Sequence, residues 1–304
     1  MQATQRHHLL SCADLQRPYI EEIFSRAARH AKALAGAAPG QLLAGKVVAN
    51  LFFESSTRTR LSFERAAKAL GADVLNFTPQ GSSVSKGESL LDTVRNVEAL
   101  GACVVVVRHP SSGAAELVSK HVACSVINAG DGTHEHPSQG LLDAFTLTTH
   151  LGTLEGRTVA IVGDVLHSRV ARSNAHCLTR LGARVIFCGP ATLLPAAPES
   201  LGCEATLEFD SLLCSVDAVI MLRVQVERQS ESMFPSAREY ARHWGLSSAR
   251  VAKLKAGVPI LHPGPVNRGL EIATEVADGS RSLILDQVRH GVAIRMAILE
   301  GLAG

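Results

Sequence analysis

Directly behind an apolar run, Val47 to Phe53, the chain places Ser55, Ser56, Thr57, Arg58, Thr59 and Arg60. An amphipathic helical pattern carried by Leu61, Ala66, Ala69 and Leu70 follows at once. That order suits a bound phosphate. Ser56 or Thr57 can cap the helix, its first backbone N–H groups have no intrahelical acceptor, and the positive end of the dipole stands behind them. Arg58 and Arg60 add forked donors that match phosphate oxygens two at a time. The plainer alternative is a capped helix with two solvated arginines. It leaves cations opposing the dipole at roughly 0.3 to 1 kcal/mol each, a conflict that an anion would remove.

Further polar clusters share this supply of donors. Arg108-His109-Pro110 and the stretch Asp131 to Gln139, which includes His134, His136 and Ser138, lie in the first half. Asp164 to Arg169, Arg223-Val224-Gln225 and His262-Pro263-Gly264-Pro265 lie in the second. Arg58, Arg60, Arg108, Arg169, Arg223 and Lys86, with His136, Thr59 and Gln139, suit anionic substrates and a carbonyl oxygen that gains charge.

These clusters need elements to hold them. Asp14 to Leu34 reads as an amphipathic helix. Short apolar runs at 46–53, 73–77, 103–108 and 124–128 then alternate with helical patterns at 59–70, 88–100, 113–121 and 138–151. Around Leu151 to Gly156 the series pauses and restarts, with strands at 158–162, 184–188, 217–222 and 258–261 and helices at 168–181, 208–214 and 248–254. The expected fold class is therefore α/β: two doubly wound parallel-sheet domains of similar size, residues 1–150 and 151–285, joined by helices. The last helical pattern, 286–304, comes after the second series is complete and is expected to pack back on the first domain. In open parallel sheets ligands bind beyond the carboxyl ends of the strands, and every polar cluster falls after a strand.

Composition narrows the partners. A chain of 304 residues favours two domains. A formal charge of +2 and a pI near 8.2 are too mild to imply nucleic acid or a membrane surface, so small molecules are the expected partners. No apolar run reaches membrane-span length and the first residues lack a signal peptide's apolar core. The seven cysteines are odd in number and contain no Cys-x-x-Cys, which favours a cytoplasmic location over a disulfide framework or structural zinc.

Several chemistries fit poorly. Gly40 to Lys46 resembles a P-loop, but it carries Val47 where the magnesium-binding hydroxyl belongs and leads into a strand. The turn Gly163 to Ser168 lacks the paired glycines of a dinucleotide site. His134 and His136 with Asp131 show no third metal ligand at a recognisable spacing, and Ser138 and Ser168 lack nucleophile-elbow glycines. No cofactor or metal is expected.

Phe52 to Arg60 closely resembles the carbamoyl-phosphate signature of the aspartate and ornithine carbamoyltransferase family. Arg108-His109-Pro110 and His136-Pro137-Ser138-Gln139 are similar to the family's carbonyl-contacting motifs. Arg223-Val224-Gln225, with Glu227 and Arg228, and His262 to Gly269 resemble the aspartate branch; the His-Cys-Leu-Pro motif of the ornithine branch is absent. The resemblance covers essentially the whole chain. It departs at Ser138, where many relatives have Thr, and at the short, lysine-free stretch Gln229 to Pro235.

The resemblance implies transfer of a carbamoyl group from carbamoyl phosphate to the amine of L-aspartate, in de novo pyrimidine (UMP) biosynthesis and without a cofactor. Ser56, Thr57, Arg58 and Thr59 would hold the phosphate, joined by Arg108. Thr59, Arg108 and His136 would polarise the carbamoyl oxygen and Gln139 would contact the carbamoyl amine. Arg169 and Arg223 would grip the carboxylates of aspartate with help from Gln225, and the backbone at Gly264 and Pro265 would line the pocket. The glycine-bounded loop Gly81 to Gly87 would carry Ser82 and Lys86 into a neighbouring subunit's site, Lys86 serving both substrates, so a homotrimer is implied. Assembly with a regulatory chain or a dihydroorotase-like subunit is compatible with this reading. A carbamoyltransferase for another amino acid, such as an acylated ornithine, and an inactive scaffold are the alternatives. Closure of the two domains around residue 150 is the expected motion.

Overall fold

The structure, a computed structural model, describes residues 8–36, 40–78, 87–224 and 236–303. They form two compact units. One runs to Leu141 and takes up the chain again from Val288; the other is Leu142–Gln287.

The first unit contains β1 (His8–Leu9), α1 (Arg17–Gly36), β2 (Val47–Phe52), α2 (Thr57–Ala69), β3 (Asp73–Phe77), α3 (Leu90–Ala99), β4 (Ala102–His109), α4 (Ala114–Ser119) and β5 (Ser125–Asp131), and α5 (Pro137–Leu151) leads out of it. Its strands form one parallel sheet in the order β1-β5-β4-β2-β3. Val104, Val105, Val106 and Val107 are all fully buried, as a strand covered on both faces must be. Successive side chains point to opposite faces, so Val105 and Val107 pack with Ala49, Leu51 and Val126 in one cluster.

The second unit contains β6 (Thr158–Val162), α6 (Arg169–Arg180), β7 (Arg184–Cys188), β8 (Glu204–Thr206), α7 (Phe209–Leu212), β9 (Ala218–Met221), α8 (Ala237–Trp244), α9 (Ser248–Val251), β10 (Ile260–Leu261) and α10 (Thr274–Ala277), and α11 (Ile284–Ala303) leaves it. Its sheet is also parallel, in the order β10-β9-β6-β7-β8. Val162, Val219 and Met221 lie in its core with Leu213 and Leu246.

The division between units falls inside α5 and α11 rather than in the turn around Gly152. From Val288 onward α11 belongs with the first unit. There Arg295 donates to Ser62 Oγ at 2.9 Å and lies over the Phe63 ring, and His30 Nε2 meets Glu300 at 2.6 Å.

The α/β class and parallel sheets agree with the alternating pattern of the sequence, and β3, β6 and β7 occupy 73–77, 158–162 and 184–188 as expected. Elements without a strong apolar period are additions. β1 has two residues and β8 is an edge strand of three, while α8 and α10 lie where no helix is expected. α8 did carry a signal, a Ser-x-x-Glu capping box in which Ser236 accepts from the Glu239 N–H at 3.1 Å.

Candidate active site

In the first unit the polar clusters lie at the carboxyl ends of three neighbouring strands, β2, β4 and β5. Apolar pairing ends at Phe52, the Phe53 N–H donates to the Arg108 carbonyl at 2.8 Å, and the chain turns into α2. Ser56 occupies the N-cap position in an extended conformation, but its side chain makes no capping hydrogen bond. The expected hydroxyl cap is therefore not formed by Ser56, and the first turn of α2 contains no acidic residue. Thr57 and Arg58 are exposed, Arg60 is half-buried and Thr59 is buried. A pocket of roughly 200 Å³ opens beside this turn, lined by Phe52 to Thr57 with Arg60 and Thr78.

Arg108 pairs with Phe52 in the β2–β4 register, which brings its side chain to the same sheet edge. Its Nη1 donates to the Ala129 carbonyl at 3.2 Å and its Nη2 stands 3.6 Å from the Glu54 carboxylate. His136 is 3% exposed, and its carbonyl accepts from the N–H groups of Gln139 and Gly140 at 2.9 and 3.2 Å as α5 begins. Ser138 and Gln139 are also buried, and the Ser138 hydroxyl has no hydrogen-bond partner among the described residues. Donors from β2, β4 and α5 thus converge on one edge of one sheet, an arrangement that can bind an anion and polarise a carbonyl.

The loop that delivers His136 is braced from below. Burial alone would raise the Asp131 carboxyl, but hydrogen bonds from His134, Asn128 and the Gly113 N–H outweigh it and leave it below the usual range. A Cβ at Gly132 would sit 2.6 Å from the Ser112 nitrogen, so the loop passes there only as glycine. Glu135, 1% exposed, accepts from Ser11, Cys12 and Ala13. His134 is engaged with Asp131, and among the described residues no group of three or more His, Cys, Asp or Glu is placed to hold a metal. The His109 imidazole packs against Phe53, and burial lowers its pKa although the Asp131 carboxylate opposes the shift.

In the second unit the clusters follow β6, β9 and β10, again neighbours in their sheet. Arg169, 6% exposed, is the first residue of α6, behind Ser168, which caps the helix by accepting from the Ala171 N–H at 3.1 Å. Asp164 ties this turn together by accepting from His167 at 2.9 Å. Arg223 is half-buried just beyond β9. After β10 the chain makes a cis bond between Gly264 and Pro265, with Gly264 at a φ of 63° that only glycine adopts readily.

Ser56, Thr57, Arg58, Thr59, Arg108, His136 and Gln139 therefore belong to one sheet edge, and Arg169, Arg223, Gly264 and Pro265 to the corresponding edge of the other sheet. Ser82, Lys86 and Gln225 lie outside the described residues. Glu54 and Glu271 were missed as supporting groups. Neither carries a sequence signal of its own, since exposed acids such as Glu116 and Glu208 also stand beside apolar residues.

Two open parallel sheets, each carrying anion donors at the carboxyl ends of adjacent strands, define an α/β protein built to hold small anionic molecules. The family models for the aspartate/ornithine carbamoyltransferase carbamoyl-P binding domain and Asp/Orn binding domain match residues 7–149 and 155–302. The chain belongs to the aspartate/ornithine carbamoyltransferase family.

Among similar proteins, the aspartate carbamoyltransferase catalytic subunit of Myxococcus xanthus is 62% identical over 96% of this chain and 98% of its own length. The corresponding subunit of Anaeromyxobacter sp. strain K is 55% identical, over 98% of this chain and 96% of its own. A crystal structure of Trypanosoma cruzi aspartate transcarbamoylase in complex with N-(phosphonacetyl)-L-aspartic acid superposes with a TM-score of 0.91 at 30% identity, covering 99% of this chain and 97% of that one. The M. jannaschii catalytic subunit gives 0.86 at 36% identity, covering 98% of each chain.

Proposed function

We propose that this protein transfers the carbamoyl group of carbamoyl phosphate to the amine of L-aspartate, giving N-carbamoyl-L-aspartate and phosphate for pyrimidine synthesis. The observation that carries the reading is the register of Arg108 with Phe52, which puts Arg108 at the strand ends from which the chain enters α2, on a sheet edge that also receives His136. Family membership and the Trypanosoma cruzi enzyme's complex with carbamoyl phosphate and aspartate support it.

In the proposed mechanism Ser56, Thr57, Arg58 and Thr59 bind the phosphate at the head of α2, with Arg108 reaching phosphate and carbonyl. Thr59, Arg108 and His136 donate to the carbamoyl oxygen and Gln139 contacts the carbamoyl amine. The aspartate amine attacks the carbonyl carbon, the C–N bond forms, and charge gathers on that oxygen. Collapse of the tetrahedral intermediate breaks the bond between the carbonyl carbon and the bridging oxygen, and the departing phosphate, which keeps that oxygen, takes the amine proton. Such a site works by orientation, which supplies on the order of 7 to 11 kcal/mol in well-positioned reactions, and by fixed donors.

Residues 1–150 then serve as the carbamoyl-phosphate domain, with the 286–304 helix returning to it, and 151–285 as the aspartate domain. Arg169, Arg223 and Gln225 hold the two carboxylates and the Gly264-Pro265 backbone lines the pocket. Ser82 and Lys86 act in a neighbouring subunit of a homotrimer in the cytoplasm, alone or with a regulatory or dihydroorotase-like chain. Arg169 and Arg223 favour a dicarboxylate over an acylated ornithine, and the presence of Arg58, Lys86, Arg108 and His136 disfavours an inactive scaffold.

Purified protein incubated with carbamoyl phosphate and a panel of amino acids tests the reading by phosphate release. Aspartate should dominate; release with another amino acid alone, or with none, refutes it. Mixing Arg58→Ala and Lys86→Ala subunits should restore activity if sites are shared, and a monomer with full turnover would contradict sharing.

A further inference from the structure

Glu271 is wholly buried in the second unit, and one of its oxygens holds two loops at once. Its Oε1 accepts from Nε2 of His262 at 3.1 Å and from the Asn267 backbone N–H at 2.6 Å. The other imidazole nitrogen, Nδ1 of His262, accepts from the Gly264 N–H at 2.8 Å. An imidazole nitrogen that accepts carries no proton, so the ring proton is on Nε2 and points at the carboxylate. Asn267 in turn donates through Nδ2 to the Val224 carbonyl at 3.0 Å. The carboxylate thus controls Gly264 through His262 and the residue next to Arg223 through Asn267.

A purely structural role fits this group poorly. Its Oε2 has no hydrogen-bond partner among the described residues. A buried carboxylate with an unsatisfied oxygen is a net cost that an apolar residue of similar volume would avoid. What the chain gains from an acceptor here is direction: a single oxygen, Oε1, fixes the His262 ring and the Asn267 backbone at once.

We propose that Glu271 is a positioning residue for the acceptor amino acid, holding the Gly264 N–H and the backbone beside Arg223 in one fixed arrangement through His262 and Asn267. The proposal rests on aspartate being the acceptor. Glu271 touches no substrate in this scheme; it orients the groups that do.

Three variants test it: Glu271→Ala, Glu271→Gln and Asn267→Ala, each checked for folding by thermal melting. Glu271→Ala should raise the KM for aspartate about ten-fold, the size expected for losing two buried hydrogen bonds, with the KM for carbamoyl phosphate within about two-fold. Asn267→Ala should raise the aspartate KM about three-fold through the lost Val224 bond, and Glu271→Gln, which keeps an acceptor oxygen, should stay within about three-fold of wild type.

Nitrogen-15 NMR of histidine-labelled protein supplies an activity-independent readout. The resonances missing from His262→Gln should report a proton on Nε2 in wild type and a mixture of tautomers in Glu271→Ala. If Glu271→Ala does not fold, Asn267→Ala and Glu271→Gln with the wild-type spectrum decide. An unchanged aspartate KM in folded Glu271→Ala or Asn267→Ala, or a wild-type proton on Nδ1, overturns the proposal. Absence of aspartate carbamoylation by wild type would instead overturn the functional reading, with the NMR result still reporting on the network.

Discussion

Nη2 of Arg108 stands 3.6 Å from Oε1 of Glu54, with the two side chains only 12% and 14% exposed. The carboxylate and the Ala129 carbonyl hold the guanidinium from two sides, a geometry that uses its fork rather than its charge alone. Arg108→Lys keeps the charge and loses the fork. Turnover should fall by about a hundred-fold, in line with loss of a fixed donor to a developing oxyanion, while the melting temperature changes little. Phosphate-release kinetics check this.

Arg58→Ala should separate activity from stability. The residue is exposed in the first turn of α2, and an exposed substitution there should shift stability by no more than about 0.5 kcal/mol in either direction. Turnover should nevertheless drop steeply, and Arg58→Lys should not restore it. Paired denaturation and rate measurements give both answers.

Arg223→Ala should chiefly raise the KM for aspartate, with Arg223→Lys giving no rescue because a paired grip on a carboxylate needs the planar fork. Initial rates with each substrate varied in turn decide the point. A defect confined to carbamoyl phosphate would show the role assignment to be wrong.

Asp131 should make part of the acid limb of stability. Its pKa is depressed in the folded state, because three hydrogen bonds together outweigh burial. The stabilisation is therefore fully present above the unfolded pKa of about 3.9 and is lost as pH falls through the lower folded value. Asp131→Asn should cost about 1 to 3 kcal/mol at neutral pH and flatten the acid dependence. Urea unfolding across the acid range measures it.

Thiol reactivity should split by burial. Cys124, Cys188 and Cys203 have thiols pushed up to about 12, chiefly by burial, whereas Cys214 is exposed. Iodoacetamide on the folded protein should label Cys214 well before those three, because the thiolate is the nucleophile and needs access. Peptide mass mapping over time reads the order.

Much of the fold was legible because burial on two faces leaves a plain trace. Val104 to Val107 and Val159 to Val162 read as strands since a parallel sheet covered by helices needs continuous apolar residues. β8 was illegible for the opposite reason: Glu204, Ala205 and Thr206 lie at an edge and are held by pairing with β7 rather than by apolar burial. Boundaries shifted where helices serve both units, since α5 and α11 each keep one helical period across a division that contacts alone reveal.

By itself the sequence determined the donors, their order after strands, and the family, because residue types and spacing are written in one dimension. Tertiary structure alone decided which donors share an edge. Strand order places β2 between β4 and β3, and β9 between β10 and β6, so clusters distant in the chain become neighbours. It also decided that Ser56 makes no side-chain cap and that one oxygen of Glu271 serves both His262 and Asn267. Hydrogen bonds depend on ångström distances between elements, and those are set by packing rather than by chain position.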